Sequence, residues 1–392
     1  MNEHDSEKIS GLMEDAGLRR VSEVESADVV VINTCCIREN ADNKFYGHLG
    51  NLKVLKETKP NLKIMVGGCL AQKDQELIRE RANHVDVVFG THNLDRVVDL
   101  LIESEQGPVV EIIEPTQHEL DSFGSAPLPT RREVSYAAWM TIQSGCDNAC
   151  AFCIVPQVRG PEVSRSFEDL VQEAKNLVSD GGSEITLLGQ NVNSYGRDLT
   201  LKLRSQTPSD ADKSIAGSIW AGNKKRTPRP LFADLLRSIG DIPDLRRVRY
   251  TSPHPKDLRE DVMYAMAETS SVCEHLHFPL QSGSDSILSR MHRGYTAEKY
   301  LQRIEQARSI VPDLAVTTDI IVGFPGETES DFEQTLEVAA NAEFDSGFTF
   351  VFSPRPGTEA AEMEEDYCDR DVVVDRYERL RAVIQRSGLI KH

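Results

Sequence analysis

The chain is 392 residues long, 39% hydrophobic and 27% charged, a composition that fits two to three globular domains and excludes a disordered chain. Its formal net charge is −19, from 44 basic and 63 acidic residues, which counts against broad non-specific binding to nucleic acid. No apolar run approaches the ~18 residues of a membrane helix, and the acidic opening MNEHDSEKIS is neither a signal nor a transit peptide, so no membrane partner is expected. Eight cysteines are too sparse for a disulfide scaffold. Five of them stand in tight patterns, which points to a reducing, cytoplasmic setting and to metal chemistry.

In chain order, the β-branched run 29–32 predicts a strand and 39–58 a helix. A second strand at 63–66 runs into Gly67 and Gly68, followed by a helix at 71–82, a strand at 85–89, a helix at 94–102 and a strand at 109–113. Alternation at this spacing predicts a parallel α/β layer whose functional groups gather at the carboxyl ends of strands. Cys35 and Cys69 each follow a strand. Residues 117–134, rich in Pro, Ser and charge, read as a linker between a first domain, 1–116, and a second, 135–370.

The second series places strands at 138–143, 184–188, 248–251, 275–280, 316–322 and 347–352. Helices fall at 167–179, capped by Ser166, and at 231–239, 257–268, 297–310 and 329–342. Six β/α units predict a partial, open (β/α)6 barrel. Residues 371–392 read as a closing helix. Between 197 and 230, eight basic residues stand against three acidic ones. A solvated, mobile insertion is the plainer expectation there, and an RNA-binding arm the alternative.

Cys146, Cys150 and Cys153 form C-x-x-x-C-x-x-C after the first barrel strand. Three thiolates on one short loop hold three corners of a cubane iron–sulfur cluster and leave the fourth iron open. The alternatives are zinc and chance; structural zinc wants four ligands, and no fourth Cys or His lies nearby in the sequence. Cys35 and Cys69, in NTCCIRE and GGCLAQ, sit on turns that can bring two thiolates together, and two buried thiols alone are commonly inert. Cys36, Cys273 and Cys368 read as ordinary thiols.

The triad with Phe152 before its last cysteine resembles the signature of radical S-adenosylmethionine enzymes. Longer strings, among them MNEHDSE, NTCCIRENA, GGCLAQ, SGCDNACAFCIVPQVRGPEVSR, LLGQNVNSYG, TSPHP, HFPLQSGSDSIL, TTDIIVGFPGETESDFE and FSPRPGT, are similar to one group within that class, the methylthiotransferases. The match covers almost the whole chain in order, and it is most similar to the branch that modifies a prenylated adenosine in tRNA. The ribosomal-protein branch usually carries different residues around the opening acidic string, and modification of a ribosomal protein is the alternative enzyme reading.

The resemblance implies a methylthiotransferase domain followed by a radical barrel. It implies two 4Fe-4S clusters, two molecules of S-adenosylmethionine per turnover, a tRNA whose adenosine 37 beside the anticodon is prenylated, and an electron donor such as flavodoxin or ferredoxin. Cys146, Cys150 and Cys153 match the ligands of the radical cluster, while Cys35 and Cys69 match two of three ligands of an auxiliary cluster. The third lies, in the family, just before the Met-Asn that opens this chain, so Met1 is expected to be an internal methionine read as a start. The family's terminal RNA-binding domain has no counterpart before His392, and a truncated product that holds one cluster without turnover is the third reading.

The remaining candidates are polar side chains, three pairs of them at strand ends and Asp319 inside its strand. Arg165 offers a guanidinium fork for the methionyl carboxylate, or a plain ion pair. Gln190 with Asn191, Ser252 with His254, and Gln281 with Ser282 sit where barrel enzymes meet ligands. Asp319 is placed to accept from a ribose hydroxyl. Gly323, Pro325 and Gly326 make a tight turn, with no dinucleotide fingerprint or P-loop nearby. The run FTFVF, 348–352, is expected in the barrel core.

Overall fold

The computed structural model describes residues 1–35, 39–114 and 128–391, with backbone only for 39–43. Cys36 and residues 117–127 of the predicted linker lie outside the described residues. Two compact units divide the chain: Met1–Ser135 with Ile154–Pro161, and Tyr136–Cys153 with Glu162–His392. No helix among the described residues is long and apolar enough to cross a membrane.

The first unit holds a four-stranded parallel sheet in the order β1 (Val29–Thr34), β2 (Lys63–Gly68), β3 (Val87–Phe89) and β4 (Val109–Glu111). Alternate side chains serve opposite faces. Ile64, Val66 and Val88 pack with Phe45, Leu49, Leu62 and Val85 on one side, while Met65, Val87 and Phe89 pack with Ile9, Met13, Val97 and Leu100 on the other. The predicted helix 71–82 is two helices, Cys69–Asp74 and Glu76–Arg81, because Gln75 takes a left-handed φ of 47°.

The helix Asn2–Asp15 has no counterpart in the sequence reading. Its apolar residues are few, and it buries His4, Asp5 and Glu7 from an opening whose polar, acidic composition gives no helical period. Residues 128–134 of the predicted linker are ordered along it: Arg131 N–H donates to Glu7 O at 3.0 Å and Glu133 N–H to Glu7 Oε1 at 3.2 Å.

The second unit confirms the open barrel. Its strands are β5 (Ala137–Thr141), β8 (Glu184–Leu188) and β9 (Arg247–Tyr250) in one parallel sheet, and β10 (His275–His277), β11 (Ala315–Val322) and β12 (Ser346–Val351) in another. An isolated bridge pairs Val248 of the first sheet with Val272, three residues before β10. A short antiparallel pair, β6 (Gln143–Ser144) with β7 (Val163–Ser164), flanks the cysteine loop. β10 is shorter than predicted because Pro279 has no N–H for the ladder; pairing resumes at Gln281 opposite Ile320.

One side of β5 and of β8–β11, including Met140, Leu187, Val248, Leu276, Val316 and Ile320, is buried beneath the helices. Each such large apolar side chain contributes about 1.5–3 kcal/mol on burial. The helix Phe167–Ser179 starts where predicted, yet Ser166 Oγ donates to Ser214 O at 3.1 Å and caps nothing.

Residues 197–230 are folded, which corrects the mobile insertion. They form the helices Arg197–Arg204, Ala211–Ala216 and Ser218–Ala221, and Leu203, Ala216 and Trp220 join the main core. Arg226, which counted as part of a basic patch, pairs with buried Asp212 at 2.6 Å and lies 4.9 Å over the Trp220 ring. Arg229 pairs with Asp234 at 2.6 Å. Cations spent on such pairs add little to an electrostatic patch for phosphate.

Candidate active site

Gly145, with φ 76°, turns the chain from β6 into the loop of Cys146, Cys150 and Cys153. Ala151 pins that loop on two sides, donating to Met291 O at 3.2 Å and accepting from Ala360 N–H at 2.9 Å. His292 Nδ1 meets Ala149 O at 3.0 Å and Lys256 Nζ donates to Asn148 Oδ1 at 2.9 Å. Phe152 packs with Ile321, Phe324, Phe350 and Phe352, its ring 6.4 Å from that of Phe324. The residue before the last cysteine therefore seats the loop on β11 and β12.

The sulfurs of Cys146 and Cys150 accept hydrogen bonds. Asn148 Nδ2 donates to Cys146 Sγ at 3.5 Å and Arg293 Nη1 to Cys150 Sγ at 3.2 Å. Burial pushes the Cys146 thiol up, so thiolate character there depends on a cation taking the place of the proton. Among the described residues no three His, Cys, Asp or Glu side chains gather as around one ion. A cubane makes a different demand, one thiolate per iron at separate corners.

The barrel strands and the turns after them carry polar atoms that the protein leaves unmatched. Gln143 Oε1, Gln190 Oε1, Asn191 Oδ1, Asp319 Oδ1 and His254 Nε2 are buried with no hydrogen-bond partner among the described residues. Such atoms cost stability unless a ligand engages them. Ser252 and Gln281, both picked out in the sequence, adopt left-handed backbone at φ 61° and 67°. That geometry costs of order 1–3 kcal/mol for a non-glycine residue and clusters at ligand sites. This donor and acceptor set fits a polar, zwitterionic ligand above the barrel mouth.

Arg165 is buried in an ion pair. Its Nη2 donates to Glu173 at 2.6 Å and its Nη1 to Thr141 O at 3.0 Å. Asn193 and His254 exchange hydrogen bonds, Nδ2 to O at 3.0 Å and N–H to Oδ1 at 2.9 Å, tying the β8 end to the β9 end. His254 Nδ1 accepts from Lys256 N–H at 3.2 Å, so its neutral ring carries the proton on Nε2, the unmatched atom.

Burial, then Arg293 and Lys256, push the His254 pKa from 6.5 down to about 2. A histidine depressed on folding stabilises the protein above its unfolded value and loses that contribution as pH falls. Wild-type stability is therefore expected to fall by about 2–3 kcal/mol more than that of His254→Asn between pH 6.5 and roughly 4.5. Urea titrations across that range check the difference.

Side chains on the other side of β10–β12 face away from the helical layer. His275 Nε2 and His277 Nδ1 both meet Thr317 Oγ1 at 3.0 Å, and His277 Nε2 meets Asp319 Oδ2 at 3.3 Å. Phe348, expected in the core, is 62% exposed and stacks on Phe350 at 6.2 Å. Gly347, on the opposite side of β12, packs near Ile384 of the helix Arg370–Lys391.

In the first unit, β1 pairs with β2 so that Thr34 lies opposite Gly68. Cys35 and Cys69, the next residues, thus leave adjacent strand ends. Gly68 has φ 92°, and a Cβ there would meet Asn33 Oδ1 at 2.3 Å, so only glycine permits this approach. Cys69 Sγ lies 3.9 Å from Asn2 Oδ1, and buried Arg159 donates to Asn2 Oδ1 at 3.1 Å and to Asp5 at 2.7 Å. Sequence reasoning passed over Asn2, Asp5 and Arg159, whose meeting depends on the unforeseen first helix.

Comparison with known proteins bears on the class of the chain. The profile of the radical SAM superfamily matches residues 140–339, and one described as uncharacterized protein family UPF0004 matches residues 1–90. The radical SAM methyltransferase TsrM of Kitasatospora setae, solved with tryptophan substrate and a S-adenosylmethionine analogue, aligns with a TM-score of 0.58 at 13% identity, over 90% of this chain and 66% of that one. OxsB, a cobalamin-dependent S-adenosylmethionine radical enzyme, aligns at 0.55 and 12%, over 95% and 54%. At such identity these likenesses speak to fold alone. The class is that of radical S-adenosylmethionine enzymes, which use a 4Fe-4S cluster and S-adenosylmethionine.

The tRNA-2-methylthio-N(6)-dimethylallyladenosine synthase 1 of Mycobacterium marinum is 50% identical over 391 residues, 99% of this chain and 70% of that protein. The synthase of Acidothermus cellulolyticus is 51% identical over 389 residues, 99% and 72%. The chain belongs to the family of the tRNA-2-methylthio-N(6)-dimethylallyladenosine synthases.

Proposed function

We propose that the protein is a transferase that methylthiolates carbon 2 of N(6)-dimethylallyladenosine at tRNA position 37. The observation that carries this reading is the cysteine loop seated above an open barrel whose unmatched polar atoms await a ligand. The full-length relatives favour tRNA over a ribosomal protein as the target.

Cys146, Cys150 and Cys153 would hold the radical cluster, and Cys35 and Cys69 two corners of an auxiliary one. Held there, the radical cluster would supply one-electron reduction of S-adenosylmethionine to methionine and a hydrogen-abstracting 5′-deoxyadenosyl radical, the electron coming from a carrier of the flavodoxin or ferredoxin class. The chain's own residues bind and orient. His254 Nε2–H donates to a ligand oxygen, and the carbonyl oxygens of Gln190 and Asn191 accept from a ligand amine. Ser252 and Gln281 shape the turns around it. Phe348 and Phe350 offer stacked rings to a flat base, with Asp319 as an acceptor beside them.

For the auxiliary site the support is geometric. Cys35 and Cys69 leave neighbouring strands, and Asn2 lies beside Cys69. Expression of the protein in a strain without its own enzyme tests the function by nucleoside analysis. Methylthiolated dimethylallyladenosine is the expected product; its absence, with the prenylated nucleoside present, overturns the reading.

A further inference from the structure

We propose that Arg293 is a positioning residue of the radical site, a guanidinium that serves as the counter-charge of the Cys150 thiolate and raises the reduction potential of the cluster held there. The inference rests on Cys150 being a ligand of that cluster.

Arg293 is 6% exposed. A buried cation is costly unless an anion accompanies it, and no carboxylate among the described residues pairs with this one. Its side-chain partners are Cys150 Sγ at 3.2 Å, Tyr295 Oη at 3.3 Å and the face of the Tyr295 ring at 5.5 Å. Tyr295 is not the anion. Burial pushes its phenol up, and that hydroxyl donates to Leu280 O at 2.8 Å. The sulfur of Cys150 is what remains to balance the charge.

The backbone fixes the aim. His292 and Gly294, on either side, both take left-handed φ, 58° and 70°, and Arg293 N–H donates to Leu288 O at 3.0 Å. His292 itself holds the cysteine loop through Ala149 O. One short turn thus grips the loop's backbone with one side chain and its sulfur with the next. Left-handed backbone at a non-glycine residue is retained where surroundings over-determine it.

The consequence is electrostatic. One-electron reduction makes the cluster and its thiolates more negative, and a fixed cation hydrogen-bonded to a ligand sulfur stabilises that state over the oxidised one. The Arg293 fork therefore eases the step that must precede cleavage, without touching the substrate.

The test is a mediated redox titration of the anaerobically reconstituted full chain, followed by the electron paramagnetic resonance of the reduced cluster. Arg293→Gln is expected to bind as much iron as the parent. At the parent's midpoint its reduced-to-oxidised ratio should be about tenfold lower, a shift of ~59 mV for one electron. Arg293→Lys, which keeps the charge, should stay close to the parent, and it carries the comparison if the glutamine variant does not fold. An unchanged Arg293→Gln midpoint overturns the proposal, as does a lysine variant shifted as far as tenfold. Loss of iron from Arg293→Gln with unchanged circular dichroism would assign the residue to assembly and overturn tuning. A parent chain that binds no iron would sink the cluster reading itself.

Discussion

Cys146→Ala is expected to abolish turnover while leaving the chain folded. The variant should lose the radical cluster, about four irons per chain, and release no 5′-deoxyadenosine above background from S-adenosylmethionine. Its sulfur is buried and meets Asn148 Nδ2 at 3.5 Å, so replacing it by a methyl group costs roughly 1 kcal/mol of stability. Loss of activity and near-wild-type unfolding then separate a chemical role from a structural one. Iron analysis, product chromatography and a thermal melt make the comparison; retained iron and deoxyadenosine release would show that the loop is not the cluster site.

The largest stability effect is expected at Arg376, on the helix Arg370–Lys391. Its Nη1 pairs with Glu327 at 2.9 Å, the two side chains being 5% and 0% exposed. Glu327 in turn accepts from Gly323 N–H at 2.8 Å, so the pair ties the terminal helix to the tight turn after β11. Burial pushes the Glu327 carboxyl up, and Gly323 and Arg376 hold it down. Arg376→Ala leaves a buried carboxylate without its cation, a change that costs about 3–5 kcal/mol, or roughly 6–20 °C in melting temperature for a unit of this size. The deficit should shrink in acid, where the orphaned carboxyl takes a proton. A melt indistinguishable from wild type would mean the helix is not anchored there.

Both effects bear on how far the sequence could be read. The barrel was legible because its strands are apolar runs at regular spacing separated by helical stretches; the capping box of Thr328 and Asp331 before the helix Glu329–Ala342 emerged only in the structure. The cysteine loop was legible because three cysteines lie within eight residues of chain. Arg293 was not, since it reaches Cys150 from 143 residues away. The role of Phe348 was misjudged because an aromatic on an apolar strand looks the same whether it faces helices or the open side. The basic run 197–230 misled for a related reason: Arg226 and Arg229 meet their acidic partners only in the fold. Buried ion pairs and exposed patches share one composition.

The central claim is that one chain cleaves S-adenosylmethionine at its cysteine loop and takes hydrogen from carbon 2 of the prenylated adenosine. The reconstituted protein, given S-adenosylmethionine, a reductant and tRNA deuterated at that carbon, tests it in one reaction. Mass spectrometry of the released 5′-deoxyadenosine should find the deuterium there, with a methylthio group in its place on the nucleoside. Deoxyadenosine free of deuterium, beside an intact deuterated tRNA, would contradict the account.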